Sequence, residues 1–233
     1  MSEIYFVRHG QASLGAKNYD KLSDLGWQQA RWLGEHFQEQ GLSFDRAIVG
    51  DMRRHRETMQ GISEGMGVDL EPITDPRLNE FRFFPVLRLY QMTYQPDSPP
   101  LKSAADFFAM LRVVMKAWIA GELDAMLARE DAKHGTTTES WAQFNRRVVD
   151  ALTAARSSQS GGKILIVSSG GPKSLVMRHA LSLSDEATIE LMMQIRNTST
   201  TRLLSTPERL ALQTFNVLSH MERPDRHHAI TMV

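Results

Sequence analysis

Cysteine does not occur among the 233 residues of this chain. Its absence excludes disulfides, thiolate nucleophiles and Cys-zinc sites. A net charge is missing as well, since 27 Lys and Arg balance 27 Asp and Glu. Nucleic-acid-binding domains usually carry a basic surplus, so no nucleic-acid partner is expected. No apolar run approaches the ~20 residues that span a bilayer, and no membrane partner is expected either. The N-terminus enters "IYFV" without the basic lead and longer apolar stretch of a secretory signal. Together with the missing cysteine, this suits a cytoplasmic location. Internal repeats and low-complexity tracts are also lacking. What remains is ordinary for a soluble globular protein, 42% hydrophobic and 23% charged. The length suits one large domain, or a domain with an insertion.

Local patterning points to strands and helices in alternation. "EIYFV" (residues 3–7) reads as a short buried strand rich in β-branched and aromatic residues. Residues 22–41 read as a helix: Ser23 can cap it, Leu25, Ala30, Leu33 and Phe37 recur at roughly helical spacing, and Gly41 ends it. Residues 45–50 form a second strand and 51–67 a second helix with a terminal glycine. A β-α-β-α start predicts a mostly parallel sheet covered by helices. The pattern then changes. Residues 78–101 hold aromatics and Pro85, Pro96, Pro99 and Pro100, and read as irregular. A long helix is expected over 104–129, and a loop at 133–144 leads into another helix, with Thr136 and Glu139 matching a capping box. Residues 162–181 return to strand-turn-helix, and 200–218 read as an antiparallel hairpin around Pro207 at the sheet edge. The expected fold is an α/β three-layer sandwich: a single domain over 1–233, with a mostly parallel central sheet, an antiparallel edge strand and a helical insertion at about 81–137.

In such a sheet ligands bind at the carboxyl ends of the strands. The first strand ends in Arg8-His9-Gly10, and the second leads into a helix bearing Arg53, Arg54 and Arg56. Glu80 follows a short strand candidate near residues 70–73, and "KILIV" ends in Ser168-Ser169-Gly170-Gly171 at a helix start. A helix N-terminus and arginines together suit a phosphate group. Histidine among them can attack phosphorus, and a glutamic acid can protonate the leaving oxygen.

The ordered segments "VRHGQ", "KLSDLGWQQA", "VGDMRRHRETM", "RLNEF", "TTTESWAQFNRRV" and "ILIVSSGG" resemble the histidine phosphatase superfamily, the phosphoglycerate mutase-like enzymes. The resemblance implies a hydrolase acting through a phosphohistidine on His9. Arg8 and Arg54 would hold the phosphoryl oxygens, with Ser169, Gly170 and Asn18 as further phosphate contacts. Glu80 would be the acid and then the base. It implies no cofactor and no metal, and a phosphorylated small molecule, phosphate or sulfate as ligand. Two departures stand out. The family's closing Ser-His-Gly-Gly reads Ser168-Ser169-Gly170-Gly171 here, so a histidine that donates to the phosphoryl group is replaced by a serine, which cannot carry positive charge. "GDM" also stands where the family often has "SSxL" within its S-x-L-x-R-A-x-Q-T segment. Loss of one such donor typically lowers the rate by ~10²–10³, which predicts attenuated turnover.

Two alternatives to a phosphatase follow from Ser169. One is a pseudo-phosphatase that binds a phosphorylated ligand with little turnover. The other is a serine hydrolase, against which Val167 stands at the first glycine of the G-x-S-x-G elbow. Phe81, Arg82, Phe83 and Phe84 are expected at the pocket rim. The Met and Phe content of the insertion reads as core or homodimer contact rather than a cofactor site. His55, His134, His179, His220, His227 and His228 read as surface residues.

Overall fold

A computed structural model describes residues 1–13, 20–97, 104–157 and 161–232. Six strands form one sheet: β1 (Ser2–Arg8), β2 (Arg46–Val49), β3 (Ile73–Thr74), β4 (Gly162–Ser168), β5 (Thr200–Ser205) and β6 (Leu210–Val217). Their order is β3-β2-β4-β1-β5-β6. The first four in that order run parallel, and β5 and β6 are antiparallel at the edge.

Alternation along the strands decides what covers each face, because successive side chains point to opposite sides. Tyr5, Val7, Val49, Leu165 and Val167 pack with Leu33, Phe37, Met59 and Ile62 of α1 (Asp24–Glu39) and α2 (Arg53–Met66). Ile4, Phe6, Ile48, Ile164 and Ile166 join Phe144, Val148, Leu152 and Leu175 of α6 (Trp141–Ser157) and α7 (Gly170–Leu181). Burial on both faces explains why these strands read as continuous apolar runs. The result is the three-layer α/β sandwich expected, with its antiparallel edge.

Between β3 and α6 lie α3 (Phe83–Tyr94), α4 (Ala104–Ile119) and α5 (Asp124–His134); α8 (Asp185–Met192) follows α7. Three expectations change here. Residues 83–94 are helical rather than irregular, because Pro85 sits in the first turn, where its missing N–H breaks no helical bond. The single helix over 104–129 is two helices. Between them Gly121 takes φ +73°, a left-handed conformation that ends α4. The capping box forms four residues later than Thr136 and Glu139. Gln143 N–H donates to Ser140 Oγ at 3.2 Å, and Ser140 N–H donates to Gln143 Oε1 at 2.8 Å. Thr136 instead donates to Asp131, and Glu139 pairs with Arg147 at 2.6 Å.

Trp118 of α4 ties this helical segment to the sheet layer. It is fully buried, its ring lies 4.9 Å from Phe81 and 6.0 Å from Phe144, and its indole N–H donates to the Glu139 carbonyl. Trp118→Ala is expected to destabilise the fold by about 3–5 kcal/mol through the cavity it leaves. Urea unfolding checks this; a loss below ~1 kcal/mol would show that the helical segment docks without this anchor. No helix among the described residues is long and apolar enough to cross a membrane.

Candidate active site

β1 and β4 end side by side, with Arg8 paired to Ser168, and β2 ends beside β4. His9 N–H donates to the Ser168 carbonyl at 2.8 Å, and Gly50 N–H to the Val167 carbonyl at 3.1 Å. The parallel ladder therefore sets His9, Ser169 and Gly50 at one level. α2 begins three residues after Gly50, the residue that follows β2, which brings Arg54 and His55 of its first turn to the same place.

His9 is buried, 5% exposed. Its Nδ1 lies 2.7 Å from its neighbour's carbonyl, Gly10 O, and its Nε2 receives the Arg54 Nε–H at 3.2 Å. A carbonyl can only accept, so Nδ1 carries the proton and Nε2 the lone pair. Burial, then Arg54, Arg8 and His55, hold the His9 imidazole well below its usual range, so it is neutral near pH 7. Asn197 donates from Nδ2 to the His9 carbonyl at 3.1 Å, and Thr58 Oγ1 accepts from Gly10 N–H at 3.0 Å. The strand end is thus pinned on both sides of the ring.

Arg54 is also buried, 5% exposed, and its Nη1 pairs with Asp20 at 2.8 Å. Its neighbours Arg53 and Arg56 turn outward to Glu57 and Asp51. Arg8 donates from Nη1 to the Ile195 carbonyl. Lys173 lies buried behind it, with Nζ 2.7 Å from the Ser199 carbonyl; burial and the Arg8 charge push its amine well down.

Glu80 reaches the same place from the loop after β3. Its carboxylate oxygens accept from Gly171 N–H at 3.1 Å and Phe81 N–H at 3.3 Å. Burial raises its pKa above the usual carboxyl range, against the opposing pull of the Gly171 amide and of Arg54 and Arg8. Gly171 is required by close approach, for a Cβ there would lie 2.1 Å from Glu80 Oε1. Arg147 fixes the loop by donating to the Arg77 and Asn79 carbonyls, each at 2.7 Å.

These groups open on one cavity of about 410 Å³, with Arg8, His9, Arg54, Glu80, Gly170 and Gly171 at its polar end. The remaining wall is mostly apolar: Phe81, Phe83, Phe84, Phe107, Phe108, Leu111, Met192, Met193 and Met232. All four residues expected at the rim, Phe81 to Phe84, are in this wall. Ser169 is not. It is fully buried behind the wall, with its hydroxyl 2.7 Å from His55 Nε2. Asn18 lies outside the described residues. Among the described residues, no three His, Asp or Glu side chains gather in a way that could hold a metal ion.

The histidines divide against expectation. His134, His179, His227 and His228 are exposed, but His55 and His220 are fully buried. His220 bonds Thr198 Oγ1 at 2.9 Å, and burial presses its imidazole down to about 3. Asp20 and Asn197 were the residues of this region that sequence reasoning passed over, and His55 was the one it placed on the surface. Asp20 and Asn197 carry no spacing signal.

The family model for the histidine phosphatase superfamily (branch 1) matches residues 4–97 and 113–218. A 2,3-bisphosphoglycerate-dependent phosphoglycerate mutase from Allorhizobium ampelinum is 36% identical over 84 residues, 33% of this chain and 40% of the relative. One from Azorhizobium caulinodans is 37% identical over 84 residues, 33% of this chain and 41% of the relative. The match therefore spans about two fifths of these relatives' length. Among solved structures, a phosphoserine phosphatase from Entamoeba histolytica superposes with a TM-score of 0.64 at 17% identity, covering 95% of this chain and 100% of that one. A mycobacterial glucosyl-3-phosphoglycerate phosphatase gives 0.62 at 22% identity, covering 92% and 98%. At these identities the superpositions speak for the fold, and the family model, which runs across both halves of the sheet and all of its parallel strands, decides membership: this chain belongs to the histidine phosphatase superfamily.

Proposed function

We propose that this chain is a phosphomonoester phosphatase working through a phosphohistidine on His9. The observation that carries the reading is the state of that imidazole. Its Nδ1–H is spent on Gly10 O, and its Nε2 lone pair lies beside Arg54 in an arginine-lined cavity. In the first step Nε2 attacks phosphorus, the P–O bond to the leaving group breaks, and the Glu80 carboxyl proton goes to the departing oxygen. In the second, water attacks phosphorus and gives its proton to the Glu80 carboxylate. The P–N bond then breaks, and inorganic phosphate leaves with His9 restored. Arg8 and Arg54 hold the phosphoryl oxygens, and the Gly170 end of α7 adds its positive pole. Asn18 as a further phosphate contact rests on the family resemblance alone.

The helices between about 81 and 137 act as a cap on a single domain and choose the leaving group. Their contribution to the cavity wall is aromatic and aliphatic apart from Arg82. A phosphomonoester with a bulky apolar leaving group therefore suits the site better than a small polyanionic phosphate. Burying roughly 50–100 Å² more apolar surface, at ~25 cal/mol per Å², raises kcat/KM by about 10- to 100-fold. The test is a phosphate-release panel spanning naphthyl phosphate, phosphoserine and 3-phosphoglycerate. Equal rates, or preference for the triose phosphate, would overturn the leaving-group reading.

Ser169 supplies no cationic donor, so turnover is expected to be modest, lowered by up to ~10²–10³ if nothing replaces that donor. One observation favours a second reading, a pocket that holds a phosphorylated ligand with little turnover: Ser169 is turned onto His55 rather than into the cavity wall. Phosphate binding without hydrolysis of any ester would decide for it.

A further inference from the structure

His55, Ser169 and Gly50 fit one another as a set. His55 is fully buried in the first turn of α2, one residue beyond Arg54. Its Nε2 lies 2.7 Å from Ser169 Oγ, and its ring centroid is 5.7 Å from that of His9, with the planes inclined by 34°. Its Nδ1 is buried and has no hydrogen-bond partner among the described residues. The reason lies at the end of β2. A Cβ on residue 50 would stand 2.3 Å from His55 Nδ1 and 2.9 Å from Cε1. The ring therefore occupies the space that a side chain at position 50 would need. It also lies directly against position 169, with Nε2 in contact with the Ser169 hydroxyl.

The tautomer follows from the partners. Were Ser169 to donate to Nε2, the proton on Nδ1 would be a buried donor with no acceptor. An unpaired acceptor is the more tolerable orphan. Nε2–H therefore donates to Ser169 Oγ, which anchors the ring edge-on to α7. Burial, with the charges of Arg54 and Arg56, keeps this imidazole neutral near pH 7.

We propose that His55 is a positioning residue for the His9 nucleophile, anchored by Ser169 and given room by Gly50, and that this set replaces a histidine at position 169. The imidazole beside His9 is thus supplied by α2 instead of the β4 turn. It backs the His9 ring, excludes water from it, and together with Arg8 and Arg54 keeps it unprotonated. The charged and titratable groups bearing on His9 are Arg8 from β1 and Arg54 and His55 from α2, and Glu80 lines the same cavity from the loop after β3. The inference rests on the phosphatase reading above.

The test is an exchange. Wild type, His9→Ala, His55→Ala, Ser169→His, and the double variant His55→Ala with Ser169→His are compared on an aryl phosphate, with rates normalised to folded protein. His55→Ala is expected to lower kcat by roughly 10²-fold, more than it changes KM, the scale for one lost group of the transition-state environment. It also shifts the acid limb of the pH profile upward, because His9 loses a neighbour that depresses its protonation. Ser169→His alone puts two imidazoles in one space and loses both rate and stability. The double variant regains activity to within about tenfold of wild type. Gly50→Ala lowers the rate more when His55 is present than when it is alanine, the coupling expected of two residues in direct contact. Should His55→Ala misfold, His55→Asn keeps a donor toward Ser169 and takes its place. Imidazole titration of His9 by NMR reads the coupling without turnover. An unchanged kcat and unchanged His9 titration in folded His55→Ala, or no recovery in the double variant, overturns the proposal. Wild-type activity that ignores His9→Ala overturns the phosphatase reading instead.

Discussion

His9→Ala is expected to lower phosphate-ester hydrolysis by about 10⁴–10⁶, the scale seen when a covalent nucleophile is removed. The magnitude follows from how completely the site is built around one atom. Nδ1 is held by Gly10 O, the backbone on either side by Thr58 and Asn197, and Nε2 is left facing Arg54. Alanine removes that atom and leaves Arg8, Arg54 and Glu80 in place. The variant should therefore still bind phosphate or vanadate, with affinity changed less than tenfold, because binding and chemistry are carried by different groups. Rapid acid-versus-base quench with a labelled ester should trap a phosphoryl group on wild type that is stable to base, labile to acid, and absent from the variant. A variant that retains more than a hundredth of the wild-type rate would mean that water or another side chain attacks phosphorus directly, and His9 would be reduced to a binding role.

Much of this site was legible because strand geometry translates directly into position. A run of apolar residues ending in Arg8-His9 places those two at a carboxyl end, and the same holds for "KILIV" before Ser169. Glu80 was legible chiefly through its motif, since the strand read near residues 70–73 is in fact the two-residue β3 at Ile73–Thr74. The helix at 83–94 was hidden by Pro85 and a dense aromatic stretch, whose meaning depends on tertiary packing against Trp118 and Phe144 rather than on local propensity. His55 was misread because "RRHR" resembles a solvated helix face, and Arg53 and Arg56 do face solvent. A signal was nevertheless present. Gly50 and Ser169 are both smaller than the resemblance leads one to expect, and they end strands that pair with the same middle strand or belong to it. Two small residues at one level leave a space, and an adjacent histidine is the residue that fills it. Recognising this needed the strand order, which sequence spacing alone does not supply.

Glu80→Gln is expected to lower the rate on an alkyl phosphate by about 10²–10⁴, the usual contribution of a general acid. It should have far less effect on phosphorylation by an ester of a strongly acidic phenol. An alkoxide cannot leave without a proton, whereas such a phenolate can. The leaving-group contrast therefore separates acid catalysis from any loss of positioning, which would harm both esters alike. The pH dependence carries the same signature. Burial raises the Glu80 pKa above the usual carboxyl range, and a bound phosphate dianion would raise it further by like charge. The protonated carboxyl is the competent form for the first step, so wild-type kcat/KM on the alkyl ester should fall as pH rises through that raised value. The acid limb, set by His9, should lie below its reference of about 6.5, because burial and the two arginines depress its protonation. In Glu80→Gln the alkaline fall due to this group disappears and the acid limb stays. Stability follows the same direction with pH as this limb of the activity. A carboxyl whose folded value is raised favours the folded state at low pH, and that advantage is lost as pH rises through the folded value. The amide keeps an acceptor for Gly171 N–H without a charge to bury, so at neutral pH the variant should be no less stable than wild type. Equal losses on the two esters, or an unchanged alkaline limb, would remove Glu80 from proton transfer and leave it as a brace between Phe81 and Gly171.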